Sequence, residues 1–268
     1  MKRIIRATTV PESLDTFCKY MLQDLSRKYE VVGLSSPGDT LDEMANREGI
    51  RTIAIPMERH ISLFKDTKSL FSLISVFRKE KPTMVHSMTP KAGMLCMVAA
   101  WLTRVPVRVH TFTGLVFPTS TGLKRKLLMA TDWLTCACAT HVIPEGEGVK
   151  ADLLNYGITK KPLKVLGYGN VRGVDLDFYS QRPEVMQIIS KKSLRLQNCF
   201  TFLFVGRIVR DKGINELCQA YQRIHEQYPN TRCWLVGAYE ESLDPISLTS
   251  KTLIEQCDNG LESVGPKT

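Results

Sequence analysis

Residues 205–213 read Val-Gly-Arg-Ile-Val-Arg-Asp-Lys-Gly. An apolar run, Thr201 to Val205, precedes them, and a helix-periodic run, Ile214 to Gln227, follows. Such a segment joins a strand to a helix at the carboxyl end of a parallel sheet, where α/β folds bind ligands. Gly206 lets the backbone approach a ligand closely. Arg207 offers a planar fork to phosphate oxygens, and Lys212 offers a point charge a few residues on. Gly213 opens the helix, whose first amides favour anions. Two cations at a helix start suit a diphosphate. They also fit an ordinary basic strand-to-helix loop, and local chemistry leaves both readings open. A second candidate is His86, which closes a short strand; a lone imidazole there is more often structural than a ligand contact.

The elements that position these residues alternate along the chain. Strands are predicted at Arg3–Val10, Tyr29–Ser35, Arg51–Ile55, Thr83–His86, Val107–Thr111, His141–Pro144 and Leu163–Leu166. Between them, apolar residues recur at spacings of three and four, as in Leu14, Phe17, Cys18, Met21, Leu22 and Leu25, where one helix with Ser13 as N-cap is expected. Thr89-Pro90 is read as the start of another helix, 90–103. Strands alternating with helices imply an α/β fold with a parallel sheet covered on both faces. The chain divides into a first domain over 1–170, a connecting segment over 171–200 and a partial second domain over 201–268. In the second, only two strands are expected, 201–205 and 232–236. The final Leu-Glu-Ser-Val-Gly-Pro-Lys-Thr is read as a loop, so this domain is expected to be truncated.

Composition narrows the function classes. At 268 residues with 43% hydrophobic and 24% charged residues, the chain is globular rather than disordered or fibrous. Ala92 to Leu102 is an uncharged apolar run of eleven residues, short of the ~20 that cross a bilayer. A cytoplasmic protein is expected. Eight cysteines occur without a Cys-x-x-Cys pair, most within apolar periodic runs, and no metal site is expected from them. The net charge is +9, and residues 1–184 hold 26 Lys and Arg against 18 Asp and Glu. Such a surface attracts phosphates. Nucleic acid is not the expected partner, because the aromatic residues fall in core-like positions rather than among the cations. Peripheral contact with a membrane is expected instead through Lys124, Arg125 and Lys126, with Leu123, Leu127 and Leu128 beside them.

The strand-GRIVRDKG-helix segment, with Glu216 just beyond it, resembles the signature of the retaining GT-B glycosyltransferases of the group 1 (family 4) type. GNVRGVDLDFYS (169–180), MVHSMTPKAG (84–93), VPVRVHTFTGLVF (105–117) and HVIPEGEGVKADL (141–153) extend the resemblance along the chain, most closely toward bacterial capsular, O-antigen and lipid-linked oligosaccharide enzymes. The resemblance implies two Rossmann-like domains. The second would hold a nucleotide-sugar, usually UDP-linked, and the first a lipid-linked or saccharide acceptor. Gly206, Arg207, Lys212 and Gly213 would bind the donor, and Arg207 and Lys212 would stabilise the departing diphosphate without a metal or other cofactor. His86, Thr113, Gly114 and Glu147 would line the acceptor side. Thr113 stands where the family commonly has a histidine, and a hydroxyl is no base near neutral pH. Glu255 and Glu262 do not match the family's paired donor glutamates. A truncated, inactive remnant acting as a binding module is the alternative reading, and a sugar-nucleotide epimerase on the same fold is a further one.

Overall fold

The computed structural model describes residues 1–58, 62–177, 179–184, 186, 199–241, 244–256 and 260–265. It forms two compact units, 1–175 and 176–268. Of the connecting segment, residues 178, 185 and 187–198 lie outside the described residues.

The first unit is built on six parallel strands in the order β3-β2-β1-β4-β5-β6. They are β1 (Arg3–Ala7), β2 (Glu30–Ser35), β3 (Arg51–Ala54), β4 (Met84–Met88), β5 (Val107–Phe112) and β6 (His141–Pro144). The helices are α1 (Pro11–Cys18), α2 (Met21–Ser26), α3 (Asp39–Glu48), α4 (Leu63–Glu80), α5 (Pro90–Leu102), α6 (Gly122–Cys138) and α7 (Glu147–Asn155). Strand side chains alternate between the two faces. Ile5, Ala7, Val85 and Phe112 meet Leu73 and Phe77 of α4, Leu95 and Cys96 of α5 and Cys136 of α6. On the other face Val31 and Met88 meet Leu14, Cys18 and Leu22 of α1 and α2, and Leu41 and Met44 of α3. Each fully buried Leu or Phe contributes about 1.5–3 kcal/mol of transfer free energy, so the two layers hold the sheet from both sides.

Four local expectations are refined or corrected here. The run from Leu14 to Leu25 is not one helix: it breaks at Tyr20, whose φ is +63°. The Glu48 carboxylate of α3 accepts the amides of Tyr20 (2.8 Å) and Gln23 (3.2 Å), giving α2 its start. Ser13 is not the N-cap of α1; Val10 holds that position and Pro11 follows it. Thr89 occupies the N-cap position of α5, but the hydroxyl that accepts an α5 amide, that of Ala92 at 3.2 Å, belongs to Thr9. Residues 163–166 form no strand, since β6 closes the sheet and Leu163 packs against the core from a loop.

The second unit has three parallel strands in the order β7-β8-β9: β7 (Phe200–Val205), β8 (Thr231–Val236) and β9 (Leu261–Val264). The terminal segment read as a loop thus contributes a strand. Two polar residues among four hide it from a hydropathy reading, and pairing with β8 decides it. The helices are α8 (Ile214–Gln227) and α9 (Leu248–Glu255). Ile208, Ile214, Cys218, Tyr221, Cys233, Leu235, Ile254 and Leu261 form the core. Seven cysteines are free thiols; Cys257 lies outside the described residues. Among the described residues no helix is long and apolar enough to cross a membrane.

Candidate functional site

The turn after β7 is held by backbone pairing with the segment after β8. Gly206 N–H donates to Val236 O (3.0 Å) and Ile208 N–H to Ala238 O (2.9 Å). This pairing brings Gly206 against Gly237 so tightly that a methyl at Gly237 would lie 1.8 Å from the Gly206 carbonyl oxygen. Residues 210–212 then make one 3-10 turn, and Gly213 reaches φ +74°, where an L side chain is strained. Leu217 N–H returns to Gly213 O (2.9 Å), and α8 begins.

This geometry places Gly206, Arg207, Lys212 and Gly213 on a single turn at the carboxyl end of the second sheet. Arg207 is half-exposed, and its Nη1 donates to Glu240 Oε2 at 2.6 Å. Arg210 Nη2 lies 3.1 Å from Asp244 Oδ1, whose partner oxygen accepts Asp211 N–H at 2.7 Å. Lys212 is exposed and makes no ion pair among the described residues. Glu240 and Asp244 were not singled out from the sequence. Their signal is positional: they follow β8 as the basic turn follows β7, and Val205 pairs in register with Val236. The arrangement presents a guanidinium fork already holding one carboxylate, a free ammonium and a helix start, the groups that grip an anion with several oxygens.

A cavity of about 520 Å³ lies between α9 and β9, lined by Tyr239, Glu241, Lys251, Ile254, Glu255 and Glu262 among others. Glu255 and Glu262 therefore share one wall region. Lys251 is already paired with Glu241 at 2.6 Å. Three carboxylates against one neutralised lysine disfavour a diphosphate, so the charge of this cavity differs in kind from that of the basic turn.

In the first unit, Thr113 and Gly114 follow β5, and Gly114 sits at φ +126°. Glu147 opens α7, points to solvent and pairs with Lys150 at 3.0 Å. The acidic group that sits nearest Gly114 is Glu145, whose Oε1 lies 3.9 Å from where a Gly114 methyl would be. Glu145 is half-buried, and that burial pushes its carboxyl pKa up. Its carbonyl accepts Asn170 N–H at 2.6 Å, so the loop at 169–171 joins the same sheet end. Glu145 and Glu147 stand in one Glu-Gly-Glu-Gly run, where only the phase of the following helix separates them, so the local pattern does not show which of the two faces Gly114.

His86 lies within β4, not at its end. Arg6 Nη1 contacts His86 Nδ1 at 2.7 Å, and His86 Nε2 contacts Thr111 Oγ1 at 2.8 Å. A guanidinium only donates, so Nδ1 accepts and Nε2 carries the proton to Thr111. Burial, then the adjacent Arg6 charge, lowers the His86 pKa well below the ordinary imidazole value. The ring is thus neutral with both nitrogens occupied, a structural bridge between β1 and β5. His110 faces the opposite side, against Gly93 of α5, and burial takes its pKa down to about 3. Among the described residues no group of three or more His, Cys, Asp or Glu is placed to hold a metal.

Residues 20–169 match the family described as "Glycosyl transferase 4-like domain", and residues 185–259 match "Glycosyl transferases group 1". The chain belongs to the glycosyltransferase 4-like family. The basic turn falls inside the second match. Over 241 residues the chain is 33% identical to the capsular polysaccharide biosynthesis glycosyltransferase CapM of Staphylococcus aureus, covering 89% of this chain and 62% of CapM. It is 31% identical over 183 residues to the Escherichia coli UDP-Gal:alpha-D-GlcNAc-diphosphoundecaprenol alpha-1,3-galactosyltransferase, covering 67% of this chain and 46% of that enzyme. The chain thus spans about half to three fifths of these relatives. Among solved structures, Anabaena Alr3699/HepE in complex with UDP-glucose superposes with a TM-score of 0.70 at 13% identity, covering all of this chain and 70% of HepE. The Neisseria meningitidis UDP-GlcNAc 2-epimerase superposes at 0.62 and 17%, covering all of this chain and 73% of the epimerase. These likenesses show the fold: an α/β chain of two parallel-sheet units with GT-B neighbours, as the motifs implied.

Proposed function

We propose that this chain takes part in moving a sugar from a UDP-linked donor to a lipid-linked or saccharide acceptor in bacterial surface-glycan synthesis, at the inner face of the cell membrane. The observation that carries the reading is the turn that puts Arg207 and Lys212 at the start of α8, inside a stretch matching a glycosyltransferase family. In this reading residues 201–268 supply the donor side, residues 1–170 the acceptor side with Thr113, Gly114, Glu145 and Glu147 at the sheet end, and 171–200 the link. Arg207 exchanges Glu240 for a phosphate oxygen, and Lys212 adds the second charge. Together they stabilise the negative charge that develops as the diphosphate leaves, work a divalent ion does elsewhere, so transfer runs with retention and without a metal. The lipid-linked galactosyltransferase and the UDP-bound structures support the donor class and the acceptor class. Transfer is favoured over epimerisation because both named relatives above 30% identity are transferases.

The test is titration of the chain with UDP and UDP-sugars, followed by backbone NMR and calorimetry. The resonances of 206–213 should shift, and Arg207→Ala should weaken UDP binding at least tenfold, since a charge-assisted hydrogen bond contributes about 1.5–3 kcal/mol. Shifts confined elsewhere, or unaltered affinity in the variant, would remove the assignment.

A further inference from the structure

The cations of the basic turn are not equivalent. Arg207, Arg210 and Lys212 stand close together in sequence, yet the segment that follows β8 engages each of them differently. That segment runs beside the turn and meets it in order. Ala238 O accepts Ile208 N–H at 2.9 Å, and Ile208 forms a parallel bridge with Tyr239. Glu240 pairs with Arg207 at 2.6 Å. Farther on, Ser247, the N-cap of α9, donates its N–H to Asn215 Oδ1 of α8 at 3.0 Å.

Asp244 holds the middle of this seam. Its Oδ2 accepts Asp211 N–H at 2.7 Å, and its Oδ1 lies 3.1 Å from Arg210 Nη2. Its carbonyl accepts Arg210 N–H at 3.3 Å, and its own N–H donates to Glu240 O at 3.2 Å. One residue thus holds both amides that open the 3-10 turn, together with the Arg210 guanidinium. The rest of the turn closes on itself, Lys212 N–H to Val209 O at 3.3 Å and Gly213 N–H to Arg210 O at 3.0 Å. The Lys212 side chain has no ion pair among the described residues to aim it. Its direction is set by the backbone of the turn, and that backbone is tied down where Asp244 grips it.

We propose that Asp244 is a positioning residue of the anion-binding turn: it touches no ligand, but fixes the turn so that Lys212 and the start of α8 meet the same diphosphate as Arg207. The proposal rests on the reading of this turn as the donor diphosphate site. Arg210 is then a structural cation, engaged by Asp244 rather than by the ligand. The sign of the effect separates this role from an electrostatic one. Removing a carboxylate beside an anion site frees Arg210 and lowers the local negative charge, which by charge alone tightens anion binding. Removing the acceptor of the Asp211 amide lets the turn reorient, which misplaces Lys212 and weakens binding. Asparagine distinguishes the two, because its carbonyl oxygen still accepts that amide while its charge is gone.

The experiment is calorimetric titration of the chain with inorganic pyrophosphate and, separately, with UDP. Asp244→Ala should weaken pyrophosphate binding about tenfold, the worth of one charge-assisted contact from Lys212. Asp244→Asn should bind at least as tightly as the unaltered chain. In a Lys212→Ala background, Asp244→Ala should add less than about twofold, whereas in an Arg207→Ala background its full effect should persist. Arg210→Ala should change the affinity by no more than about threefold, since its pair lies at the surface. As a measure independent of variant folding, the Asp211 amide of the unaltered, ligand-free chain should be protected from hydrogen exchange. Tighter binding in Asp244→Ala, equal losses in the Ala and Asn variants, an additive cycle with Lys212, or an unprotected Asp211 amide would overturn the proposal. Pyrophosphate binding with the expected pattern but no binding of UDP would uphold the positioning role and remove the nucleotide-sugar reading. Absence of pyrophosphate binding at 206–213 would remove both.

Discussion

Gly237→Ala tests the packing that shapes the basic turn. Gly237 lies outside the left-handed region, so the backbone admits alanine and the cost is one of contact alone. The added methyl would lie 1.8 Å from Gly206 O and 2.8 Å from Gly206 C. Real carbon–oxygen contacts stay above about 3 Å, so the turn must retreat by roughly an ångström or more. That displacement breaks or stretches Gly206 N–H to Val236 O and Ile208 N–H to Ala238 O. Each such bond contributes about 0.5–1.5 kcal/mol, and overpacking typically costs 1–3 kcal/mol. The expected loss is about 2–6 kcal/mol, confined to the second unit, whose core is small. Hydrogen exchange with mass spectrometry on the whole chain localises the effect: amides of β7, β8 and the turn 206–213 should lose protection while those of β1, β4 and β5 keep theirs. UDP affinity should fall with it, because Arg207 moves with the turn. If β7 and β8 keep their protection to within about 1 kcal/mol, the close approach of these two glycines is not what forms the site.

Two further predictions concern the first unit, and both are read by denaturant unfolding. A methyl at Gly93 would lie 2.4 Å from His110 Cε1, and that ring is fixed by Ser87 at 2.9 Å and edge-on by Phe112 at 4.5 Å. Gly93→Ala should therefore destabilise the unit by about 1–3 kcal/mol despite its better helix propensity, and a neutral result would show that α5 can shift. The pH dependence follows from three buried groups. His110 at about 3 and His86, also lowered, refuse protons that the unfolded chain accepts, so their contribution is full above pH ~6.5 and lost as pH falls toward 3. Asp132, raised to about 7 by burial, acts oppositely: its penalty grows as pH rises from about 4 to 7. His110 alone amounts to as much as about 4–5 kcal/mol between these limits. Asp132→Asn should thus gain stability at pH 8 and steepen the loss on acidification; destabilisation at pH 8 would refute the assignment.

Much of the fold was legible because its causes are local. Apolar strands such as Val107–Phe112 and stripes such as Leu70, Leu73, Ile74 and Phe77 carry their own period, and Gly206, Arg207, Lys212 and Gly213 occur within eight residues, so one turn holds them wherever it folds. What the residues alone could not decide were pairings across long separations. Glu48 breaks the first helix at Tyr20, Thr9 rather than Thr89 caps α5, and β8 turns a polar tetrapeptide into a strand. Arg6 takes both the tautomer and the availability of His86, and Glu240 holds the fork of Arg207 from 33 residues away. Local sequence sets which groups are available; only the folded chain sets which of them are already satisfied.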